Sequence, residues 1–520
     1  MSYLSKKNIF IIILILFSLL INQYYGNKGI FPVDSFAHFD TGFRILLGEH
    51  PFKNYWIVSG PIIDYFQAIL FYLFGTNWQS YILHASIINA VVSVATFLIL
   101  IKFNLNIYYS FFYSIIFSVL AYPTSGTPFV DHHSAFFSLL AVYSLILAIK
   151  DDKKFHWVLF PLLLSIAFLS KQVPSSYVII SIILILITFS LIKKKYYWIK
   201  YSFLSFASFI IIVLIFGNIQ GIKLSSFLQQ YIFYPQTIGA QRISDFEFTF
   251  RGTIGHFKFI YIALIPLFFL NLQKIIFEKG YYKHKDFYYF LVLILFTFSL
   301  IFHQIITRNQ TFIFFLIPLL FAFSHIKINS YKPNLNKFVH ATLILICLFS
   351  ATKYHIRFNE NRKFHELNYV NFDLSLSAKN IDKKFKGLKW ITPEYKEQSK
   401  EEIATINDIR NYLSNDNRKK MLMTNYSFFS ILLNEKLFSQ SRWFIFDGTD
   451  YPMKGNKYYT NYQNLLKNLI KNNEIAIIYT IYPVESSSIY TYINKNCFKE
   501  VKISEVFSGY ELQDCFEING

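Results

Sequence analysis

The sequence predicts a polytopic α-helical membrane protein with about eleven transmembrane helices, followed by a C-terminal soluble α/β domain. Of its 520 residues, 54% are hydrophobic and 20% are aromatic. Apolar runs of about the length that a bilayer core requires follow one another as far as residue 351, and short lysine clusters separate them. After that point the composition becomes that of an ordinary soluble domain.

The formal net charge of +19 favours membrane orientation over nucleic-acid binding. Lys and Arg cluster between the apolar runs, where the positive-inside rule places cytoplasmic loops, so nucleic acid is not an expected partner. Lys6 and Lys7 place the start of the first apolar run on the cytoplasmic side of the membrane. Asn22, Gln23 and Tyr24 give no small-residue cleavage site, so this run is expected to be an uncleaved span.

The apolar runs define the predicted spans and, with them, the sidedness of the chain. The chain starts on the cytoplasmic side and crosses the membrane an odd number of times, so its tail is expected on the outer side. Residues 1–352 are expected to form the membrane domain, and residues 353–520 an extracytoplasmic domain. The expected location is the cell (inner) membrane. The predicted spans are 8–25, 78–101, 108–122, 134–149, 155–170, 178–192, 201–217, 257–272, 287–302, 311–323 and 338–351.

The first outer loop, residues 26–77, concentrates titratable groups in a chain that is otherwise apolar and basic. Carboxylates next to a lipid-embedded body are costly, which makes them candidates for function. Phe36, Phe39 and Phe43 recur at helical spacing and predict an amphipathic helix lying along the membrane interface. Residues 62–74 predict a short juxtamembrane helix. The acidic residues and histidines of the loop are Asp34, His38, Asp40, Glu49, His50 and Asp64.

Four other predicted outer segments carry candidate site residues. Asp131, His132 and His133 lie in the second outer loop, and Lys171 directly follows an apolar run. Arg242 and Arg251 lie in the long outer segment 218–256. The late outer turn contains His303, Gln304 and Arg308.

The tail predicts alternating helices and short strands, without a phosphate-binding loop or clustered metal ligands. Two of the three cysteines, Cys497 and Cys515, are expected to pair if the tail faces an oxidising compartment. Helices are predicted over 401–413, 428–433 and 458–470, and strands over 420–424, 443–446, 475–479 and near residues 501 and 510.

Asp34 just after the first span, then GEHPFKNYW, then GPIIDY and a helix ending LFG resemble the first outer loop of GT-C-fold glycosyltransferases. That superfamily includes protein O-mannosyltransferases, lipid A aminoarabinose transferases and lipopolysaccharide-core transferases. The resemblance covers about residues 1–350. Ser59-Gly60-Pro61 stands where many members have a Lys-Pro-Pro or Glu-Lys-Pro element.

The resemblance implies transfer of a sugar from a polyprenyl-phosphate donor, since nucleotide sugars are not supplied outside the membrane. Asp34 is then the general base, and Arg308 is the first choice and Lys171 the second for the donor phosphate. His38, Asp64, Asp131, His132, His303, Gln304 and Arg242 are expected to bind or orient substrate. The acceptor is a glycan, a lipid or a protein.

Each of these roles has a simpler alternative. Asp34 could act as the N-cap of an interfacial helix, and Lys171 could extend to the lipid headgroups. His38 could either tune Asp34 or be solvated. Asp40 and Arg44 are expected to form a surface pair, and Glu49 and His50 to be solvated.

Four further alternatives remain open from the sequence alone. Arg242 and Arg251 could be rim charges that attract anionic lipid. No cofactor is required, although a divalent metal at Asp34, Asp131 and His132 is an alternative. A lipid-linked sugar transporter or flippase, and a non-catalytic envelope-glycan assembly partner, are the alternative functions.

Overall fold

The computed structural model of the chain describes residues 3–308, 313–331 and 337–513. Its helices, in chain order, are α1 (Tyr3–Gly26), α2 (Pro32–Leu46), α3 (Pro61–Phe74), α4 (Trp78–Lys102), α5 (Ile107–Leu120), α6 (Val130–Asp151), α7 (Lys154–Ser170), α8 (Gln172–Lys193), α9 (Tyr197–Ile219), α10 (Leu224–Phe227), α11 (Tyr234–Ser244), α12 (Lys258–Phe277), α13 (Lys285–Thr307), α14 (Leu316–Tyr331), α15 (Lys337–His355), α16 (Ser399–Asn415), α17 (Phe429–Leu433), α18 (Tyr459–Asn473) and α19 (Ser487–Tyr490). The strands are β1 (Leu376–Ser377), β2 (Lys389–Trp390), β3 (Lys420–Met423), β4 (Ile477–Ile481), β5 (Phe498–Lys502) and β6 (Phe507–Leu512).

The helices confirm a multi-pass membrane protein. Within the described residues, nine helices are long and apolar enough to cross a bilayer. The other two predicted spans correspond to the shorter apolar helices α7 and α14, and α3 is the short helix predicted for residues 62–74. Part of the span predicted over 311–323 lies outside the described residues, and α14 begins at Leu316.

The chain folds as two compact units, each built from three segments. The first, here called the span unit, comprises Met1–Lys28, Ile82–Ile212 and Phe246–Asn368. The second, here called the loop–tail unit, comprises Gly29–Tyr81, Val213–Asp245 and Tyr369–Gly520. Most of the first outer loop therefore belongs to the same compact unit as the tail.

In the span unit, α6 lies at the centre, and 83% of its most apolar stretch is buried. It packs against α7, α8 and α13. By contrast, only 11% of the corresponding stretch of α1 is buried. Helix α1 is therefore a weakly packed span whose exposed face the membrane must cover, as is α9, of which 0% of the corresponding stretch is buried.

The loop–tail unit contains a four-stranded sheet of order β3-β4-β6-β5. Strands β3 and β4 are parallel, with Met421 opposite Ile478, while β6 is antiparallel to both β4 and β5. Strands β3 and β4 are buried along their whole length, which explains the apolar sequences of residues 421–423 and 477–479. The α/β prediction for the tail is confirmed.

One predicted strand is wrong. Residues 443–446 form an irregular segment, because the Phe444 amide donates to the Asn425 side chain at 2.8 Å and is not paired with another strand. Turns around Gly448 follow immediately. The segment is apolar because Phe444 is buried in the core. A short apolar run looks the same in the sequence whether it is a buried strand or a buried irregular segment.

Helix α2 occurs where it was predicted, but it is not an interfacial helix with one exposed face. Eleven of its fifteen residues are buried, including polar ones on the face opposite the phenylalanines. Phe36 packs against Trp78, Phe385, Trp390 and Phe428. Segments distant in sequence thus cover the phenylalanine face of α2, which an interfacial helix would turn towards the lipid.

Candidate active site

Asp34 lies in the first turn of α2. Phe31 occupies the N-cap with φ −117° and ψ 107° and makes no side-chain cap bond, and Pro32 starts the helix. The prediction that Asp34 is the N-cap is therefore wrong. Asp34 is half-buried at the positive end of the helix dipole, a position that stabilises a carboxylate.

Asp64 is fully buried on α3 and accepts from three side chains. His38 Nδ1 lies 2.6 Å and Thr41 Oγ1 also 2.6 Å from Oδ1, and Arg442 Nη2 lies 2.5 Å from Oδ2. Burial by itself would raise the pKa of Asp64, but the Arg442 charge and the bonds from His38 and Thr41 outweigh it and hold the pKa below its usual value. Asp64 is therefore an ionised structural acceptor.

His38 is buried and its Nδ1 is bonded to Asp64, so the alternative that His38 is solvated is wrong. Its effect on Asp34 stays a prediction. Burial, followed by the nearby Arg442 charge, lowers the pKa of His38. The imidazole is then neutral and donates from Nδ1 to the carboxylate.

Asp40, Arg44 and Glu49 form a buried charge cluster, and the surface predictions for them are wrong. Arg44 Nε lies 2.9 Å from Glu49 Oε2 and Arg44 Nη1 lies 3.9 Å from Asp40 Oδ2. The guanidinium also lies over the Tyr55 ring, 4.1 Å from its centroid. Burial raises the pKa of Asp40 to about 6, although Arg44 and the hydroxyl of Ser430 oppose this. The i,i+4 spacing of Asp40 and Arg44 is the same in an exposed pair and in a buried one. Only the segments that pack over the pair decide whether it is buried.

His50, predicted to be solvated, is half-buried, and its Nδ1 lies 3.1 Å from the Tyr65 hydroxyl. Burial and then the Lys53 charge lower its pKa.

In the span unit, three predicted site residues meet. Asp131, in the first turn of α6, lies 2.7 Å from Lys171 Nζ and 2.9 Å from His303 Nε2. Asp131 and His303 are buried, and the Lys171 side chain retains 21% of its exposure. The alternative that Lys171 simply extends to the headgroups is wrong, because its ammonium is bound by a buried carboxylate.

The two histidines after Asp131 have separate partners. His132 Nε2 lies 2.8 Å from Thr124 Oγ1. His133 is bonded to the Tyr122 hydroxyl, and its Nε2 lies 2.8 Å from His84 Nε2. Among the described residues no group of three or more His, Cys, Asp or Glu side chains is arranged to hold a metal, and Asp34 belongs to the loop–tail unit. The donor set gives no support to the alternative metal site at Asp34, Asp131 and His132.

The remaining predicted residues are not joined to these clusters. Arg308 follows α13 in a left-handed conformation, φ 54°, and is exposed. Gln304 is fully buried, and Arg242 is half-exposed in the last turn of α11. Arg251 is exposed, and Cys515 lies outside the described residues. The roles of these residues stay predictions.

Sequence reasoning missed Arg442 and Arg362. Arg442 directly precedes residues 443–446, which were predicted to form a strand, and no local signal links it to α3. Arg362 is fully buried and donates to the carbonyls of Pro123 at 2.7 Å, Ser125 at 2.9 Å and Lys28 at 3.1 Å. It thereby holds the loop that precedes Asp131 against the end of α1.

Asp64 and Asp131 are each bound by a buried or partly buried cation and by a histidine. A carboxylate held by charge-assisted hydrogen bonds is a weak base. Both residues are therefore suited to fix neighbouring groups in place, and the role of Asp34 as the general base stays a prediction.

A family model described as dolichyl-phosphate-mannose-protein mannosyltransferase matches residues 50–216, about a third of the chain. The structure resembles ArnT from Cupriavidus metallidurans in the apo state with a TM-score of 0.50 and 11% identity, over 96% of this chain and 97% of that chain. ArnT from the same organism bound to undecaprenyl phosphate gives a TM-score of 0.47 and 8% identity, with complete coverage of both chains. No curated protein sequence matches the chain. The likeness to apo ArnT shows the GT-C fold and confirms the resemblance found in the first outer loop.

Proposed function

Starting from the GT-C fold and the match to a mannosyltransferase family model, we propose that the protein is a membrane glycosyltransferase using a polyprenyl-phosphate sugar. The acceptor is an extracytoplasmic lipid, glycan or protein. One observation supports the proposal: Asp34 lies in the first turn of α2, shortly after the first span, where the resemblance to GT-C-fold glycosyltransferases implies the general base.

In the proposed reaction, Asp34 accepts the proton of the acceptor hydroxyl. The hydroxyl oxygen forms a bond to the anomeric carbon while the bond from that carbon to the phosphate oxygen breaks, with inversion. Polyprenyl phosphate leaves with the electron pair, and its negative charge is stabilised by Arg308 and Lys171. Asp131 and His303 orient the lysine for this role.

The proposed sidedness follows from the charges of the spans. Lys6, Lys7 and the cluster Lys193–Lys195 mark the inner side, so the first outer loop and the tail are extracytoplasmic. Cytosolic nucleotide sugars do not reach that side, which favours a lipid-phosphate donor.

Transfer of labelled sugar from polyprenyl phosphate to the acceptor tests the proposal. Purified protein is incubated with labelled polyprenyl-phosphate hexoses and pentoses and a membrane extract that supplies the acceptor. We expect transfer by the natural protein and a loss of about a hundredfold or more in Asp34→Asn, because removing a general base costs about 10²–10⁴ in rate.

Asp373→Asn is the matched control, since Asp373 is an exposed carboxylate of the tail. It should transfer at the natural rate. An Asp34→Asn protein that folds and transfers sugar normally would contradict the proposed base, and absence of transfer with every donor would contradict the proposed class of enzyme.

A further inference from the structure

A groove of about 720 Å³ opens between α1, α5 and α15, entirely within the span unit. Most of the side chains that line it are apolar, among them Phe17, Ile21, Val119 and Ala351. Helix α1 contributes half of the lining, and only 11% of its most apolar stretch is buried by the protein itself. The groove is therefore a concave, hydrocarbon-facing surface next to a helix that needs further packing.

The extent of the groove matches one leaflet of a bilayer. On α1 it runs from Phe17 to Tyr25, eight residues further along. At a rise of 1.5 Å per residue this is about 12 Å. Half of a hydrocarbon core is about 15 Å. An acyl chain that stays in one leaflet fits this length, whereas a polyprenyl chain is longer than a leaflet.

One end of the groove is polar. Tyr25 donates to the Glu360 carboxylate, and its hydroxyl lies 3.0 Å from His355 Nε2. Lys28 Nζ lies 3.2 Å from Glu360 Oε2. Tyr24, 64% exposed, packs edge-on against Tyr25. Tyrosines and a lysine at the end of an apolar helix are typical of the headgroup level of a membrane.

The charge at this end is positive. Arg362 is buried and its Nε donates to the Lys28 carbonyl at 3.1 Å, so the described residues joined by these contacts include two cations, Lys28 and Arg362, and one carboxylate, Glu360. A phosphate at the headgroup level would complement this excess charge.

We propose that this groove binds an acyl chain of a membrane phospholipid, with the lipid phosphate at the Lys28 end. The lipid packs against the second half of α1 and joins it to α5 and α15. The proposal depends only on the spans and is independent of glycosyl transfer.

Photo-crosslinking in nanodiscs tests the site. The full-length protein is reconstituted with a phosphatidylglycerol that carries a diazirine on its acyl chain, and labelled peptides are identified by mass spectrometry. We expect label on the segments 17–25 and 351–355. Thr352→Trp should reduce it at least fivefold, because the indole fills the groove that Thr352 lines.

Leu345→Trp is the matched control, since it adds the same side chain to α15 at a 64% exposed position outside the groove lining. It should label like the natural protein. Val119→Phe is a second groove-filling variant, which should also reduce labelling if Thr352→Trp fails to fold.

Two results would overturn the proposal. One is label spread evenly over the exposed spans and unaffected by filling the groove. The other is displacement of the labelled phospholipid by an equimolar amount of a polyprenyl phosphate, which would make the occupant a polyprenyl chain.

Discussion

The Asp64 carboxylate is ionised inside the loop–tail unit, and its charge is tolerated because three donors converge on it. One of them, Arg442, belongs to the tail, while His38 and Thr41 lie on α2, the helix that carries Asp34. A single buried carboxylate therefore fixes the helix of the candidate base to the tail. Removing one partner of such a pair leaves the other charge buried without compensation.

We expect Arg442→Met to lower the free energy of unfolding by about 3–5 kcal/mol, because it leaves the Asp64 charge buried without its cation. Arg418→Met, the same change at an exposed ion pair with Asp416 and Glu511, should cost less than about 1 kcal/mol. Chemical denaturation in detergent measures both. Equal effects of the two substitutions would contradict a dominant buried pair.

Glu402 gives the tail a pH-dependent stability. It is 2% exposed and accepts from Tyr426, Trp390 and Thr392, yet burial outweighs these bonds and raises its pKa to about 7. Because the folded-state pKa lies above the unfolded value, the folded state binds the proton more tightly. The stabilisation is complete below about pH 4.5 and is lost as the pH rises through about 7.

Glu402→Gln should remove this loss, because the amide stays neutral at every pH. Relative to the natural protein, the variant should gain up to about 3 kcal/mol between pH 5 and pH 8. Thermal unfolding across this range measures the difference. Parallel pH profiles of the two proteins would show that the Glu402 carboxyl does not cause the dependence.

At the scale of elements, the loop between α5 and α6 positions Asp131. The end of α1 approaches this loop so closely that a Cβ on Gly126 would lie 2.6 Å from Gly26 Cα, and Gly126 has φ +76°. Arg362 binds three successive carbonyls of the same loop. Two glycines and one buried arginine thus set where α6, and with it Asp131, begins.

Gly126→Ala should destabilise the protein by about 2–4 kcal/mol, because overpacking adds to the cost of a left-handed backbone. Gly280→Ala is the control, since Gly280 has φ +83° but nothing within 4 Å of the added Cβ. It should cost only about 1 kcal/mol. Melting temperatures in detergent compare the two, and equal losses would contradict a steric contribution at Gly126.

At the scale of the whole molecule, each of the two compact units is assembled from three separated segments. The first outer loop and the tail form one unit, so they must lie on the same side of the membrane. In the proposed orientation, which rests on the lysine clusters, that side is extracytoplasmic.

Single cysteines test this orientation in whole cells. Cysteine at Lys454, exposed in the tail, should react with a membrane-impermeant maleimide, and cysteine at Lys194, exposed after α8, should react only after permeabilisation. Among the described cysteines, Cys347 is buried and Cys497 is disulfide-bonded. Reaction of the maleimide with these two native cysteines should therefore be weak. Labelling of Lys194→Cys in intact cells would reverse the proposed sidedness.

The sequence by itself determined the membrane-spanning class, the positions of the helices and the α/β character of the tail. Run length and hydropathy decide these features locally, because each span must satisfy its backbone hydrogen bonds within its own helix. The same local patterns predicted Asp131, Lys171 and His303 as site residues, since polar groups at the ends of spans are costly unless they are used.

Only the tertiary structure decided which charges are buried and what they bind. The spacing of Asp40 and Arg44 is identical in a surface pair and in a buried cluster, and the covering segments come from elsewhere in the chain. The partnership of Asp64 with Arg442, 378 residues apart, has no local signal. Burial and long-range pairing depend on which segments share one compact unit, and that is a property of the folded chain.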